Sequence, residues 1–374
     1  MREGWVEKKL GNLCVVLDSQ RKPVAKINRK KGIFPYYGAN GLLDYVDDYI
    51  FEGKYVLLGE DGANWDSNAS SSYIVDGKIW VNNHAHVIKV NNLLNDEYLV
   101  YYLNYKDLNK YISGAIIKKL TQSSLKEINI EYPDLSFQEK IVSELDKISE
   151  MISKYDEQLK ELDKLSQSIF YEMFGDPVEN EKGWEVKKLG YICDVRDGTH
   201  DSPKYVLKSE YILITSKNIV NGKIDFENVN FITEEDYVKI NKRSKVDDGD
   251  IIMPMIGTIG NPIIVQTNNI YKFCIKNVAL IKFIKEATIK NLFLLNLLKT
   301  TAYAEYLISL NKGGTQKFVS LGIIRNLPII LPPLALQQSF ARKIEAIEAM
   351  KSKVREAKKE AETLLAARMQ YWFE

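Results

Sequence analysis

The sequence predicts an α+β protein: two mixed α/β globular domains in tandem, each followed by a long helix, the two helices pairing as an antiparallel coiled coil. Three observations predict it. First, GWVEKKLG at residues 4–11 returns as GWEVKKLG at residues 183–190, with six of eight positions identical at an offset of 179. Second, the match resumes later at an offset of 199, where Gly114, Lys118, Pro133, Leu135 and Gln138 meet Gly313, Lys317, Pro332, Leu334 and Gln337. One unit has been written twice, with about 20 extra residues in the middle of the second copy. Third, each copy ends in an apolar seam with a spacing of three and four.

The elements follow in order. The first domain, residues 1–135, carries strand-like runs at Tyr55–Gly59 and Ile79–Val90, then a helical stretch near Glu97–Ile112. The central helix, residues 136–175, aligns Ile141, Leu145, Ile148, Ile152, Tyr155, Leu159, Leu162, Leu165, Ile169 and Met173. Gly175-Asp176-Pro177 stops it, because glycine takes the left-handed C-terminal position and proline cannot continue a helix. The second domain, residues 176–334, has strand-like runs at Tyr211–Thr215, Asp250–Met255 and Val278–Phe283, and a helical stretch at Ile289–Ser309. The last helix, residues 335–374, aligns Phe340, Ile344, Ile347, Met350, Val354, Ala357, Ala361, Leu364 and Arg368. Each seam covers ~36 residues, roughly 54 Å, and seams of equal length suit one another.

Composition narrows the function classes. An apolar fraction of 45% and a charged fraction of 27% are ordinary for a soluble protein, and the net charge is only +1. The distribution says more than the sum. Ser19–Leu43 holds Arg21, Lys22, Lys26, Arg29, Lys30 and Lys31 without one acid, and Ile308–Ile344 holds five basic residues, again without an acid. Basic loops beside acidic helices suit a nucleic-acid reader that also carries a protein-binding scaffold. Cys14, Cys193 and Cys274 form no CxxC pair, so neither a disulfide framework nor a zinc site is expected, and a reducing, cytoplasmic setting is. MREGWVEKKLGN lacks the apolar core of a signal peptide, and no apolar run reaches the ~20 residues of a membrane span.

No catalytic or metal-binding residues emerge. The single Pro-Pro, in Leu331-Pro332-Pro333-Leu334, lacks the leading polar residue and trailing aromatic that an amino-methyltransferase uses to hold a base. No GxxxxGK[ST] offers a phosphate cradle. Asp44 with Glu52-Gly53-Lys54 has the composition of a metal-nuclease acid and ExK pair, a short and common pattern. His84 and His86, two apart in VNNHAHVIKV, would share one face of a strand. His200 lies in the turn-rich loop Asp197-Gly198-Thr199-His200-Asp201-Ser202-Pro203.

Taken in order, these segments resemble the specificity subunits of type I restriction-modification systems. The carriers are the duplicated GWxxKKLG starts, DGTHDSPKY at Asp197–Tyr205, GDIIMPMIGTIGN at Gly249–Asn261, GGTQKFVSLGIIRNLPIILPPLALQQ at Gly313–Gln338, and the helix end Ser168–Gly175. The first half resembles a different recognition subtype, through Tyr36–Gly41, Tyr55–Asn64 and Val81–Val87. The resemblance implies two target-recognition domains, each reading half of a split DNA site, with the helices as a ruler. It also implies two methyltransferase subunits docked on this chain and translocase-nuclease subunits joining for cleavage. S-adenosylmethionine, ATP and Mg²⁺ would belong to those partners, and this chain would need no cofactor and catalyse nothing.

In such a reader, basic loops supply phosphate contacts, while Arg, Lys, Gln and His reach base edges. The expected DNA-binding residues are Arg21, Lys22, Lys26, Arg29, Lys30 and His84 in the first domain, and His200, Lys204, Lys242, Arg243, Lys245, Gln316 and Lys317 in the second. Two readings compete. The same helices and near-neutral charge would suit a non-catalytic coiled-coil interaction scaffold, and the acid–ExK pattern would suit a self-contained restriction enzyme.

Overall fold

A computed structural model describes residues 2–114, 116–220, 222–256, 260–268, 270–284, 288–310 and 318–374. It divides into two compact units: residues 1–156 with 356–374, and residues 157–355. Each unit is therefore closed by half of each long helix.

In the first unit the chain runs β1 (Val6–Lys9), β2 (Cys14–Val16), β3 (Lys31–Gly38), β4 (Gly41–Val46), β5 (Phe51–Glu52), β6 (Tyr55–Gly59), β7 (Ser72–Val75), β8 (Lys78–Val81) and β9 (Ala85–Val90). Helix α1 (Asp96–Tyr105), β10 (Ile112–Ser113), β11 (Lys119–Leu120), α2 (Gln122–Lys126) and β12 (Asn129–Tyr132) lead into α3 (Leu135–Phe174). One sheet has the order β2-β9-β6-β7 and the other β4-β3-β8-β5.

The second unit begins with β13 (Glu185–Lys188), α4 (Leu189–Ile192), β14 (Cys193–Asp197), β15 (Tyr205–Val206), β16 (Tyr211–Ile214), β17 (Ile219–Val220), β18 (Lys223–Ile224) and β19 (Asn230–Ile232). Then come α5 (Glu234–Ser244), β20 (Ile251–Pro254), β21 (Ile263–Ile264), β22 (Lys272–Ile275) and β23 (Val278–Phe283). Helices α6 (Asn291–Lys299), α7 (Thr301–Ser309) and α8 (Leu321–Arg325), then β24 (Pro328–Leu331), lead into α9 (Leu334–Phe373).

The sequence repeat is a structural repeat. β1 pairs with β12 as β13 pairs with β24, and the order β14-β23-β20-β21 reproduces β2-β9-β6-β7. Gly11 and Gly190 sit at the same step. A Cβ on Gly11 would come within 2.9 Å of the Lys126 Cβ, so the close approach of α2 requires glycine there, and one on Gly190 would meet the Arg325 Cβ at 3.2 Å, a tight fit against α8. Thr121 and Ser320 cap those helices by accepting from the backbone N–H three residues on.

The shared glutamine locks helix to domain. Gln138 Oε1 accepts from Asn95 N–H at 2.8 Å, and its Nε2 donates to the carbonyls of Leu93 and Pro133 at 3.0 and 2.8 Å. Gln337 repeats this with Lys290, Thr288 and Pro332, and both side chains are fully buried. The copies differ in the second sheet. Three strands correspond, β4-β3-β8 and β19-β16-β22, each with one parallel pair. The first unit then adds β5 beyond β8, whereas the second adds β15 beyond β19 and packs α5 on β22.

Helices α3 and α9 each run 40 residues and pair antiparallel within both units. Glu144 binds Arg368 and the Trp372 indole in the first, as does Asp156 with Lys358 at 2.6 Å; in the second Asp163 meets Lys351 at 2.7 Å and Phe170 packs on Phe340. The seam departs from the predicted one. Leu165, Met350 and Leu364 are exposed, while Ser166, Lys351 and Met369 are buried. A straight helix of 3.6 residues per turn drifts ~20° per heptad from a strict 3.5 repeat, so steps of four (162, 166, 170, 174) replace the expected alternation.

Candidate nucleic-acid interface

The basic run after β2 divides into residues that fold it and residues that face outward. Arg21 is inward: its guanidinium pairs with Glu60 at 2.5 Å and Asp18 at 3.5 Å and donates to the Ala85 carbonyl at 2.7 Å, with 11% of the side chain exposed. Arg29 donates to the Val24 carbonyl at 3.1 Å, approaches Asp44 at 3.3 Å and lies 4.3 Å from the Tyr36 ring centroid. Both arginines, expected to face DNA, are occupied in tying residues 18–29 to the sheets. Lys22 and Lys26 are exposed and make no ion pair among the described residues. Lys30 is exposed with only a 3.9 Å approach to Asp47.

Beneath this segment lies a buried charge cluster that sequence order hides. His86, fully buried, meets Asp18 at 2.6 Å through Nδ1, and its Nε2 donates to the Leu120 carbonyl at 2.7 Å. Glu60 joins it and also binds Lys119 at 2.7 Å. Burial pushes the Asp18 carboxyl up, but the bonds from His86 and Val87 and the charge of Arg21 outweigh it and hold it below the usual range. Burial likewise raises Glu60, and Lys119 and Arg21 bring it lower still than a free carboxyl. The oxygen and nitrogen ligand atoms of Asp18, Glu60 and His86 lie within 4.8 Å of one another. Arg21 and Lys119 already supply the cations there, so the cluster is an ion-pair network.

His84 and His86 do not share a face. His84 precedes β9, is half exposed and meets Asp61 at 2.5 Å, while His86 points into the core. The turn at Asn82, whose side chain accepts from His84 N–H, breaks the alternation that the spacing suggests. Nor does the acid–ExK pattern assemble. Asp44 on β4 and Glu52 on β5 occupy opposite edges of a four-stranded sheet, roughly 14 Å apart at ~4.8 Å per strand, and Lys54 pairs with Asp96 and Glu97.

The second unit builds its own version on Asp197, the repeat counterpart of Asp18. His200, three residues on as Arg21 is from Asp18, contacts Asp197 at 2.7 Å and the Asn277 side-chain oxygen at 2.9 Å, and remains 55% exposed. Those two acceptors, Asn277 first, raise the imidazole above its ordinary value. Arg243 pairs with the other oxygen of Asp197. Asn277 adopts φ 54°, a left-handed turn that asparagine tolerates. Lys204 and Lys242 are exposed and make no ion pair among the described residues. Lys245 pairs with Asp247 at 2.8 Å. Gln316 and Lys317 lie outside the described residues.

Sequence reasoning missed Asp18, Glu60, Lys119 and Asn277, because it looked for cations rather than for what holds them. One signal was present: Asp18-x-x-Arg21 and Asp197-x-x-His200 stand at the repeat offset of 179.

Residues 2–164 and 181–362 match the family of type I restriction modification DNA specificity domains. The chain belongs to that family. A Haemophilus influenzae protein named as a type I restriction enzyme specificity subunit is 28% identical over 93% of this chain and 89% of its own length. The MjaVIII specificity subunit of Methanocaldococcus jannaschii is 24% identical over 97% and 92%. The S subunit of a Mycoplasma genitalium type I system shares the fold, with a TM-score of 0.57 at 13% identity over 99% of this chain and 96% of that one. A chain from a structure of type I complex assembly and conformational transition gives 0.52 at 17% over 100% and 98%. This specificity subunit is thus a DNA-recognition component. No helix among its described residues is long and apolar enough to cross a membrane.

Proposed function

We propose that each unit reads one half of a split double-stranded DNA sequence, and that α3 and α9 fix the gap between the halves and dock two methyltransferase subunits. Translocase-nuclease subunits join that assembly for cleavage, in the cytoplasm. S-adenosylmethionine, ATP and Mg²⁺ belong to the partners, and this chain does no chemistry itself. The observation that carries the reading is the duplicated frame with two different exposed faces: one sheet, three strands of the second, one capped helix and one glutamine lock recur, while the second sheet's edge strand, α5 and the loops diverge. A frame repeated with unlike faces suits two readers of unlike half-sites.

Lys22, Lys26 and Lys30 supply phosphate contacts in the first unit, Lys204 and Lys242 in the second, and His84 and His200 reach base edges. Arg21 and Arg29 act behind them by holding the loops, whereas Arg243, 66% exposed, pairs with Asp197 and joins Lys204 and Lys242 at the surface. Helices of 40 residues are about 60 Å long, the length of about 18 base pairs at ~3.4 Å, which accommodates half-sites a helical turn or more apart. The test is to co-express the chain with a methyltransferase subunit of its own type I system and map the methylated bases. The expected result is two short specific halves around a fixed gap, and exchange of residues 1–135 for another subunit's first domain changes one half alone. A continuous motif, or none, overturns the two-reader reading.

A further inference from the structure

In their middle turns the two long helices match where they face water and differ where they face inward. Residues 151–165 of α3, MISKYDEQLKELDKL, stand at an offset of 199 from residues 350–364 of α9, MKSKVREAKKEAETL. Seven of the fifteen positions are identical, and each of the seven is exposed in both helices. The inward positions of this stretch, 152, 155, 159 and 162 with counterparts 351, 354, 358 and 361, differ every time. A merely recent duplication would leave both kinds of position alike, and packing within the pair would preserve the inward kind. The match extends to apolar side chains that water does not favour. The exposed large apolar residues of α3 are Leu135, Met151 and Leu165, and α9 exposes the identical residues at Leu334, Met350 and Leu364.

Each unit holds one such methionine and one such leucine from opposite helices: Met151 with Leu364 in the first, Met350 with Leu165 in the second. The two stand level. Counted from the ion pair Asp156–Lys358, Met151 lies opposite position 363, and counted from Asp163–Lys351, Met350 lies opposite position 164. In the first unit they also share a face, since Glu144, one heptad before Met151, binds Arg368, one turn after Leu364. Beside them on that face come Lys154, three residues after Met151, and Glu360, four before Leu364; Lys353 and Glu161 repeat them in the second unit. One cation and one anion cancel, so the surface has no attraction for a polyanion and has the composition of a protein interface, apolar at its centre and polar at its rim. A surface kept the same on two units with unlike sheets suits one partner that binds twice.

We propose that Met151, Lys154, Glu360 and Leu364 form one docking site and Met350, Lys353, Glu161 and Leu165 an equivalent second one, each taking the same surface of one methyltransferase subunit. This rests on the docking role given to the helices above and names the residues that carry it. The chain is tagged, co-expressed with a methyltransferase subunit of its own type I system, and the purified complex weighed by native mass spectrometry. The wild type should carry two subunits per chain. Met151→Glu with Leu364→Glu should weaken one of them about thirtyfold or more, the scale of one lost interface hot spot, and leave complexes with a single subunit. Met350→Glu with Leu165→Glu should do the same from the second unit, and all four changes together should leave none. Met151→Leu with Leu364→Met, which keeps the apolar centre, should keep two. Melting of the glutamate variants should match the wild type, because the altered side chains face water; a clear drop would make the positions structural and overturn the sites. Retention of two subunits by both glutamate pairs overturns the sites and leaves the docking role of the helices standing. Loss of both subunits from either pair overturns the assignment of one site to each unit. Dimers of the wild-type chain that the glutamate variants dissolve would make the surface a self-contact and overturn the sites as well. A wild-type chain that takes up no methyltransferase subunit overturns the docking reading, and the sites with it.

Discussion

Replacing Arg21 by alanine separates a residue that builds the proposed first reading face from one that touches DNA. Its guanidinium is the junction of Asp18, Glu60 and the carbonyls of Asp18 and Ala85. Removing one partner of a buried ion pair ordinarily costs about 3–5 kcal/mol, because a charge is left uncompensated. Here His86 and Lys119 still face the two carboxylates, so the cost falls toward or below the lower end, about 2–3 kcal/mol. For a unit of this size each kcal/mol moves the midpoint by roughly 2–4 °C, so Arg21→Ala should melt about 4–12 °C below the wild type. The pH dependence gives a second readout. Asp18 and Glu60 are held below the ordinary carboxyl range, so the stability they contribute is present above their unfolded values, near ~4, and is lost as pH falls through their folded values. The difference between variant and wild type should be full at neutral pH and shrink in acid. Calorimetry across pH and salt-titrated DNA binding test both. An unchanged melting temperature with a salt slope reduced by about 0.9, the signature of one lost phosphate contact, would refute this placement of Arg21.

The remaining predictions concern the lock, the seam and the second cluster. Gln138→Ala strands the Asn95 N–H and the Leu93 and Pro133 carbonyls, and should cost roughly 2–4 kcal/mol in urea unfolding, as should Gln337→Ala. Lys351→Met keeps the buried stem and loses only pairs whose partners, Asp163 and Glu348, are exposed, so stability should change by less than about 1 kcal/mol. Lys351→Glu, facing the same two carboxylates, should destabilise clearly. His200 should titrate above its ordinary ~6.5, its stabilisation complete below that value and lost as pH rises through the raised one. Asp197→Asn should lower the midpoint seen by NMR, and an unmoved midpoint would contradict the pairing.

The fold was legible because duplication leaves two readings of every constraint. GWxxKKLG marks a strand and a buried leucine, the shared glutamine marks a lock, and Gly175 (φ 76°) ends the first helix as the Gly-Asp-Pro stop implied. The seam was legible in position and direction but not turn by turn, since apolar spacing does not reveal where a straight helix outruns a 3.5 repeat. Ser166 and Lys351 face inward where Leu165 and Met350 were expected. The candidate face was half legible. Composition located the basic run, yet nothing in a row of lysines and arginines says which of them meets an acid from a distant strand. Arg21 meets Glu60, 39 residues away, and Arg243 meets Asp197, 46 away.

That partition bears on how such a chain can change what it reads. Each unit closes its own core, around Tyr98, Tyr102 and Phe373 in one and around Phe170, Phe293 and Phe340 in the other, and no described residue belongs to both cores. Of what recurs between the units, the first sheet, the capped helix and the glutamine lie in those cores. What differs, the edge strand, α5 and the segments before β3 and β16, lies outside the shared part of the frame. Substitutions at the exposed positions of the differing parts therefore cost little stability, whereas those that strike an anchor such as Arg21 or Asp197, or a buried residue such as Phe51 on β5 or Ile240 on α5, do not. Change should be tolerated at Lys22 and Lys26, which touch solvent, and resisted at the residues that hold them. Under the proposed reading the exposed positions are then free to set specificity, because the network around Asp18, Arg21, Glu60 and His86, rather than the exposed side chains themselves, fixes the shape of the face.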